Sequence, residues 1–279
     1  MQKFTIQDVS QLPHIHPTAI VDAQATIDPT AEIGPYAIIE GPVQIGARTK
    51  VMAHAHILGK TVIGEDNEIH MGCVVGQKPQ HLAYKECDSG VRIGNGNVLR
   101  EYVTIHRAYH GGHNTVLGDN NFLMTMAHVG HDSVIGNRVI ITNTCLIAGH
   151  VHIDDGAVLS GYVGVHQYVR VGRLVMIGGM SKVVKDVPPF MLLDGNSLIR
   201  GVNSVGLRRN GFTVQDRVAI KNAYRILYRS GLNVPQAVET MHAEMGDHEA
   251  VQQIVAFIKG SVRGICRHAQ IGGREEPEE

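Results

Sequence analysis

The chain has no tryptophan and only five phenylalanines among its 279 residues, so its core has to be aliphatic rather than aromatic. Its four cysteines, Cys73, Cys87, Cys145 and Cys266, are far apart and form no CxxC pair. That spacing excludes a disulfide framework and leaves reduced thiols packed as small hydrophobes. Neither sign of charge is in excess, with 25 Lys plus Arg against 26 Asp plus Glu, so no overall basic field points to nucleic acid. No charge-poor apolar run reaches the ~18 residues of a membrane span, and the opening MQKFTIQDVSQ has no apolar signal core. The expectation is a soluble cytoplasmic protein without a membrane span.

What the chain has instead is a period. Every sixth residue from Ile15 to Val183 is Ile, Leu or Val, except at His81, Cys87 and Gly111. Neither an amphipathic helix nor an alternating strand repeats at six, so one small unit is stacked many times. The residue after the aliphatic is often Gly or Asp, as at Gly34, Gly46, Gly64, Gly118 and Asp154, which suits a tight bend. Two before it stands a small residue, as at Ala31, Ala55, Ala127, Ser133 and Ala157. Each hexapeptide therefore reads as a short strand plus a corner, and three make one triangular coil of a parallel β-helix spanning 13–187. These aliphatics are scaffold, and function belongs where the period is interrupted or decorated. Two stretches keep the phase but lose the aliphatic, 76–92 and 106–116, and read as loops thrown out from the wall.

The period stops at Val183, and Pro188-Pro189 marks a boundary. A connecting stretch runs through Arg209, and three helical patterns follow within 188–267. They are VQDRVAIKNAYRILYRSG after Thr213, PQAVETMHAEM, and HEAVQQIVAFIKGSVRGI. In the first, Val218, Ala219, Ile220, Ala223, Ile226 and Leu227 share one broad face. Residues 268–279 are polar and read as a disordered tail.

Seventeen histidines are many for this length, and most of them read as surface or hydrogen-bonded residues. MAHVGHD (126–132) stands apart, because His131 is followed by Asp132 and a carboxylate beside an imidazole fixes its tautomer and raises its basicity. A coil takes eighteen residues, so His131 stacks against Gly149 and His150 of the next coil, roughly 4.8 Å away. A candidate base, a glycine N–H and a second imidazole thus meet at one corner.

The sequence resembles the acyl-carrier-protein-dependent UDP-N-acetylglucosamine acyltransferases, which begin lipid A synthesis, from about Ile15 to Arg267. The likeness rests on HPTAIV (16–21), LREYVTIHR (99–107), MAHVGHD, IAGHV (147–151), GVHQY (164–168), KDVPPF (185–190), GVNSVGLRRNGF (201–212) and NAYRILYRSG (222–231). It implies a left-handed parallel β-helix followed by a small helical domain. It makes His131 the general base, Asp132 its orienting partner and the Gly149 N–H the oxyanion donor. Gln80, His81, His128, His150, His166, Gln167, Asn203 and Arg209 match substrate-binding positions. Met176 and Gly179 match the floor of the acyl groove, and the room at a glycine suits a 3-hydroxyacyl chain of about twelve to fourteen carbons. No cofactor or metal is implied beyond the phosphopantetheine of the acyl carrier protein that brings the acyl chain. The implied assembly is a homotrimer with clefts between subunits. The acidic carrier is expected to dock on a rim drawn from Arg170, Arg173, Lys182, Lys185, Arg208 and Arg209.

Three positions, in two places, depart from the family pattern. His81 and Ala83 stand where PQDLKY has an acid and a lysine, and Val205 stands where a glutamate is common. An alternative reading is amide formation on a 3-amino sugar analogue. A coenzyme-A-dependent hexapeptide transferase leaves GVNSVGLRRNGF and KDVPPF unexplained. A zinc carbonic anhydrase of the same coil needs ligand histidines five apart, a spacing absent here. A purely structural coil leaves the loops and the His-Asp pair without a purpose.

Overall fold

The computed structural model describes residues 14–268. Each hexapeptide folds into a short strand and a corner, as at His128–Val129, Val134–Ile135 and Ile140–Ile141. Successive strands fall on three different sheets, so three of them close one triangular coil. Coils stack through parallel pairs such as His128 with Leu146 and Ile140 with Val158. The first face begins at His14–Ile15, the second at Ile20–Val21 and the third at Thr26–Ile27. The in-phase aliphatics fill the interior, with Ile57, Ile69, Leu99, Ile141 and Ile177 all fully buried. The small residues two places earlier are buried with them, Ala31, Ala55, Ala127 and Ala157 included, because a larger side chain there has no space inside so narrow a prism.

The bend itself lies elsewhere than expected. In most corners a left-handed residue stands three places after the aliphatic, and most of these are not glycine: Tyr36, Asp66, Tyr102, Met126, Asp132, His150 and Tyr168 have φ between 55° and 63°. The glycines directly after the aliphatic serve close approach between coils. A Cβ on Gly46 would lie 2.6 Å from the Gly64 carbonyl oxygen, and one on Gly118 would lie 2.6 Å from that of Gly136.

The two loops leave the stacking in phase because each adds a multiple of six residues. A buried asparagine ladder shows this directly. Asn67 Oδ1 accepts from Asn97 thirty residues on, Asn97 Oδ1 from Asn121 twenty-four on, and Asn121 Oδ1 from the Val139 N–H eighteen on. The strands Val74–Gln77 and Gly90–Ile93 take in the ends of the first expected loop, leaving 78–89 outside the wall. Thr104–His106 and Asn114–Leu117 trim the second to 107–113.

Beyond the coil, Met191–Asp194 continues the first face, Leu198–Val202 pairs antiparallel with it, and Arg267–His268 pairs with Leu198 and Ile199. His268 thus belongs to a strand rather than to the tail, whose remaining residues 269–279 lie outside the described residues. Four helices follow: α1 Ser204–Arg209, α2 Val214–Arg229, α3 Val234–Met245 and α4 Glu249–Lys259. The connecting stretch therefore holds a helix that the sequence patterns missed, capped by Asn203. On α2 the buried stripe is only Ile220, Ala223 and Leu227, while Val218 is half exposed; one side of this helix packs on α3, α4 and the 198–202 strand. The third helical pattern stops at Gly260, after which Asp186 binds the chain to the coil, its N–H donating to Gly264 and its carbonyl accepting from Cys266.

Candidate active site

Both loops emerge along the edge where the second and third faces meet, and His131 sits in the next corner of that edge. It projects away from the aliphatic column, but it is not an open corner residue: only 7% of it is exposed. Tyr109 and His81 of the two loops cover it on one side, at ring separations of 5.7 and 6.2 Å, and His150 meets it edge-on at 5.1 Å.

The His131 Nδ1 lies 2.7 Å from Asp132 Oδ2. The same oxygen accepts the Tyr109 N–H at 2.8 Å, and the Asp132 N–H donates to Thr115 Oγ1 at 2.9 Å. Burial alone raises the Asp132 carboxyl, but the hydrogen bonds from His131 and the Tyr109 N–H outweigh it and hold the group below the usual carboxylate range. An ionised Asp132 takes the Nδ1 proton as its donor, which leaves the lone pair of His131 on Nε2. His131, Asp132 and His150 each offer a donor atom within 4.8 Å of the others. The Asp132–His131 contact is nonetheless shorter than the roughly 3.3 Å between ligands of a tetrahedral zinc ion, and the Tyr109 N–H already occupies the shared oxygen. The geometry is that of a hydrogen-bonded dyad.

Gly149 lies against the opposite side of the imidazole. A Cβ there would stand 2.6 Å from both Cε1 and Nε2 of His131, so only glycine allows the main chain this close. Among the described residues, no acceptor engages the Gly149 N–H. His150 continues the corner, stacked on Tyr168 at 4.5 Å. Burial lowers its proton affinity first, and the neighbouring Asp132 only partly reverses this. Further in, His128 shares a 2.7 Å hydrogen bond with Thr104 Oγ1 and packs edge-on against His106. Burial, followed by the neighbouring imidazoles, pushes His106 down to about 4 and also lowers His128. These rings are therefore neutral hydrogen-bonding surfaces at neutral pH.

A cleft of about 480 Å³ opens from this corner along the second face. Of the residues singled out from sequence, it brings together Gln80, His128, His131, Gly149, His166 and Gln167. Its floor follows the pairing His128, Leu146, Gly164, Lys182 from coil to coil. Leu146 is exposed, and a side chain at Gly164 would meet nothing within 4 Å, so the floor is an apolar trough ending at a lysine. His81 lies beside the cleft, and its Nδ1 accepts the Ala83 N–H at 3.2 Å.

Met176, Gly179, Asn203 and Arg209 are not in its lining. Met176 is on the first face and Gly179 is on the edge between the first and second faces. Asn203 is engaged locally, accepting from the Gly206 N–H and donating to the Leu174 carbonyl, and Arg209 is exposed at the end of α1. Two arginines of the expected docking rim are also spoken for. Arg170 lies over the Phe257 ring and donates to its carbonyl, and Arg173 reaches Gln253. The sequence reading missed Tyr109, Thr115 and Thr104, which position the dyad and His128: Tyr109 lies in a loop, while the two threonines occupy ordinary places of the repeat, Thr115 two before Leu117 and Thr104 directly before Ile105.

Stacked hexapeptide coils with a His–Asp dyad in an edge cleft, followed by a helical unit, define an acyltransferase of the hexapeptide-repeat class. Residues 42–77 and 114–149 match the family described as bacterial transferase hexapeptide (six repeats), and 186–266 match UDP N-acetylglucosamine O-acyltransferase, domain 2. The acyl-[acyl-carrier-protein]–UDP-N-acetylglucosamine O-acyltransferase of Synechocystis sp. is 44% identical over 264 residues, covering 94% of this chain and 95% of that one. The UDP-N-acetylglucosamine acyltransferase structures from Francisella novicida and Bacteroides fragilis are 39% and 41% identical, with TM-scores of 0.88 and 0.87. Each match covers 91% of this chain, and 94% and 100% of the respective relatives. The chain belongs to the acyl-[acyl-carrier-protein]–UDP-N-acetylglucosamine O-acyltransferase family.

Proposed function

We propose that this enzyme transfers a 3-hydroxyacyl chain from acyl carrier protein to the 3-hydroxyl of UDP-N-acetylglucosamine, the first step of lipid A biosynthesis. The observation that carries the reading is the His131–Asp132 dyad facing the unpaired Gly149 N–H across one corner of the cleft. His131 Nε2 removes the proton of the 3-hydroxyl as its oxygen forms a bond to the thioester carbonyl carbon. The charge on the carbonyl oxygen is met by the Gly149 N–H. As the carbon–sulfur bond breaks, the proton held by His131 passes to the departing phosphopantetheine thiolate. Asp132 stays ionised and stabilises the imidazolium between the two transfers. No covalent acyl-enzyme is required, and the phosphopantetheine arrives with the carrier rather than residing on this chain.

Gln80, His81, His128, His150, His166 and Gln167 hold the sugar nucleotide and the start of the acyl chain. Met176 on the first face and Gly179 on its edge with the second reach a cleft with the nucleotide ligands Asn203 and Arg209 only if a neighbouring subunit supplies them. That separation supports a homotrimer with each cleft between two chains. Lys182, Arg208 and Arg209, exposed and free of the coil-to-helix joint, suit the acidic carrier protein.

Incubation of the enzyme with 3-hydroxyacyl carrier proteins and UDP-N-acetylglucosamine should yield an ester product identified by mass. His131→Ala should reduce the rate by ~10²- to 10⁴-fold with an unchanged circular dichroism spectrum. Near-normal turnover in a folded His131→Ala protein would remove the base assignment.

A further inference from the structure

We propose that Tyr109 is a positioning residue for the transfer, working through two separate parts of one side chain and backbone. The proposal rests on the reading of His131 and Asp132 as base and partner. Tyr109 sits at the middle of the second loop, 107–113. Its main-chain N–H donates to Asp132 Oδ2 at 2.8 Å, on the oxygen that receives His131. Its phenol donates to the Ala83 carbonyl at 3.1 Å, which belongs to the first loop. Its ring lies between His81 at 4.9 Å, Tyr84 at 5.8 Å and His131 at 5.7 Å. One residue therefore ties the loop that delivers Gln80 to the cleft to the carboxylate that orients the base.

The other ties of the first loop are at its far end. They include the ion pairs of Arg107 with Glu86 and Lys60 with Asp88, both with exposed acids and of the kind that contributes little in water, the Arg107 guanidinium over the Tyr84 ring, and hydrogen bonds confined to 87–89, from the Gly112 N–H to the Asp88 carbonyl at 2.7 Å, from the Ser89 hydroxyl to the Ala108 carbonyl at 2.6 Å and from the Cys87 thiol to the Tyr109 carbonyl at 3.4 Å. The backbone around His81 is organised locally, with the Ala83 N–H on the His81 ring and the Tyr84 N–H on the His81 carbonyl. The turn is thus preformed, and the phenol of Tyr109 fixes where it stands over the cleft. Because Asp132 is held by the main chain of Tyr109, removing the phenol leaves the dyad's own hydrogen bonds in place.

Tyr109→Phe separates these functions. It keeps the ring and the N–H and deletes one hydrogen bond. The KM for the sugar nucleotide should rise about fivefold, the equivalent of ~1 kcal/mol for a neutral hydrogen bond, while kcat stays within about twofold. The pH profile of kcat should not move. Amide exchange of residues 78–89, measured on the enzyme without substrate, should quicken. Tyr109→Ala, which also removes the ring packing, should raise KM further and again spare the pH profile. An unchanged KM, a fall in kcat at constant KM, or unaltered exchange in 78–89 overturns the proposal. The exchange measurement needs no turnover, so failure of the latch is distinguishable from failure of the assigned reaction.

Discussion

Gly149 shows how little room the His131 corner leaves. It has no left-handed backbone to protect, so alanine fits its conformation, yet the added methyl would lie 2.6 Å from His131 Nε2, below any real carbon contact. The imidazole has to turn away from the cleft. Gly149→Ala should therefore lower kcat by about 10²-fold or more with a melting temperature close to wild type, as measured by steady-state kinetics and thermal denaturation. A large loss of stability with normal kcat would mean that the glycine is structural. Gly46 and Gly118 are the contrast, for there the missing Cβ leaves room for the next coil's backbone. His131 and Asp132 were legible because they are adjacent in sequence and the eighteen-residue coil predicts what stacks on them. Tyr109 was not, since a loop has no period and its contribution is made by a main-chain N–H that any residue could carry.

At the scale of elements, the joint between coil and helices rests on Asp186. It is 1% exposed, and its two oxygens accept the Arg170 N–H at 2.9 Å and the Ser261 hydroxyl at 2.7 Å. Its own backbone is paired to the strand-like segment after α4. Asp186→Ala would leave two part-buried donors unpaired. A loss of about 2–4 kcal/mol follows, seen as a lower denaturant midpoint together with earlier exposure of α4 in hydrogen exchange. Wild-type stability would show that water replaces the carboxylate. The KDVPPF segment stood out in the sequence as part of a resemblance, but its physical use depends on Ser261, Gly264 and Cys266, some eighty positions later. Likewise α1 escaped the periodic reading because six residues are too few to show a period, whereas α2 and α3 are long enough to show one, and the structure closes the start of each with a capping box, Thr213–Asp216 and Asn233–Gln236.

For the whole molecule, one edge of the prism is conspicuously apolar for an exposed surface. Tyr36, Tyr102, Met126, Tyr162 and Met180 follow one another along the edge between the first and second faces, each more than half exposed in the single chain. A stripe of this kind marks an association surface, and Gly179 lies in the same stripe. If three chains close around an axis, the stripe is covered and Gly179 is brought toward a neighbour's cleft. Light scattering should report three times the 30.3 kDa chain mass. Tyr102→Glu combined with Tyr162→Glu should lower that mass and abolish transfer together. A monodisperse monomer with full activity would refute the shared cleft.

The six-residue period determined the coil, the burial of its aliphatics and the corner on which His131 stands, because each of these depends only on local spacing repeated many times. It also kept the loops in phase, which is why their presence could be read from a gap in the aliphatics rather than from a broken register. Tertiary structure alone decided which loop residue holds Asp132, that Arg170 and Arg173 serve the helical joint instead of the surface, and that the glycines after each aliphatic answer to neighbouring coils. Those outcomes turn on contacts between segments eighteen to nearly ninety residues apart, and no local pattern encodes the distance between two atoms that meet only when the chain has folded.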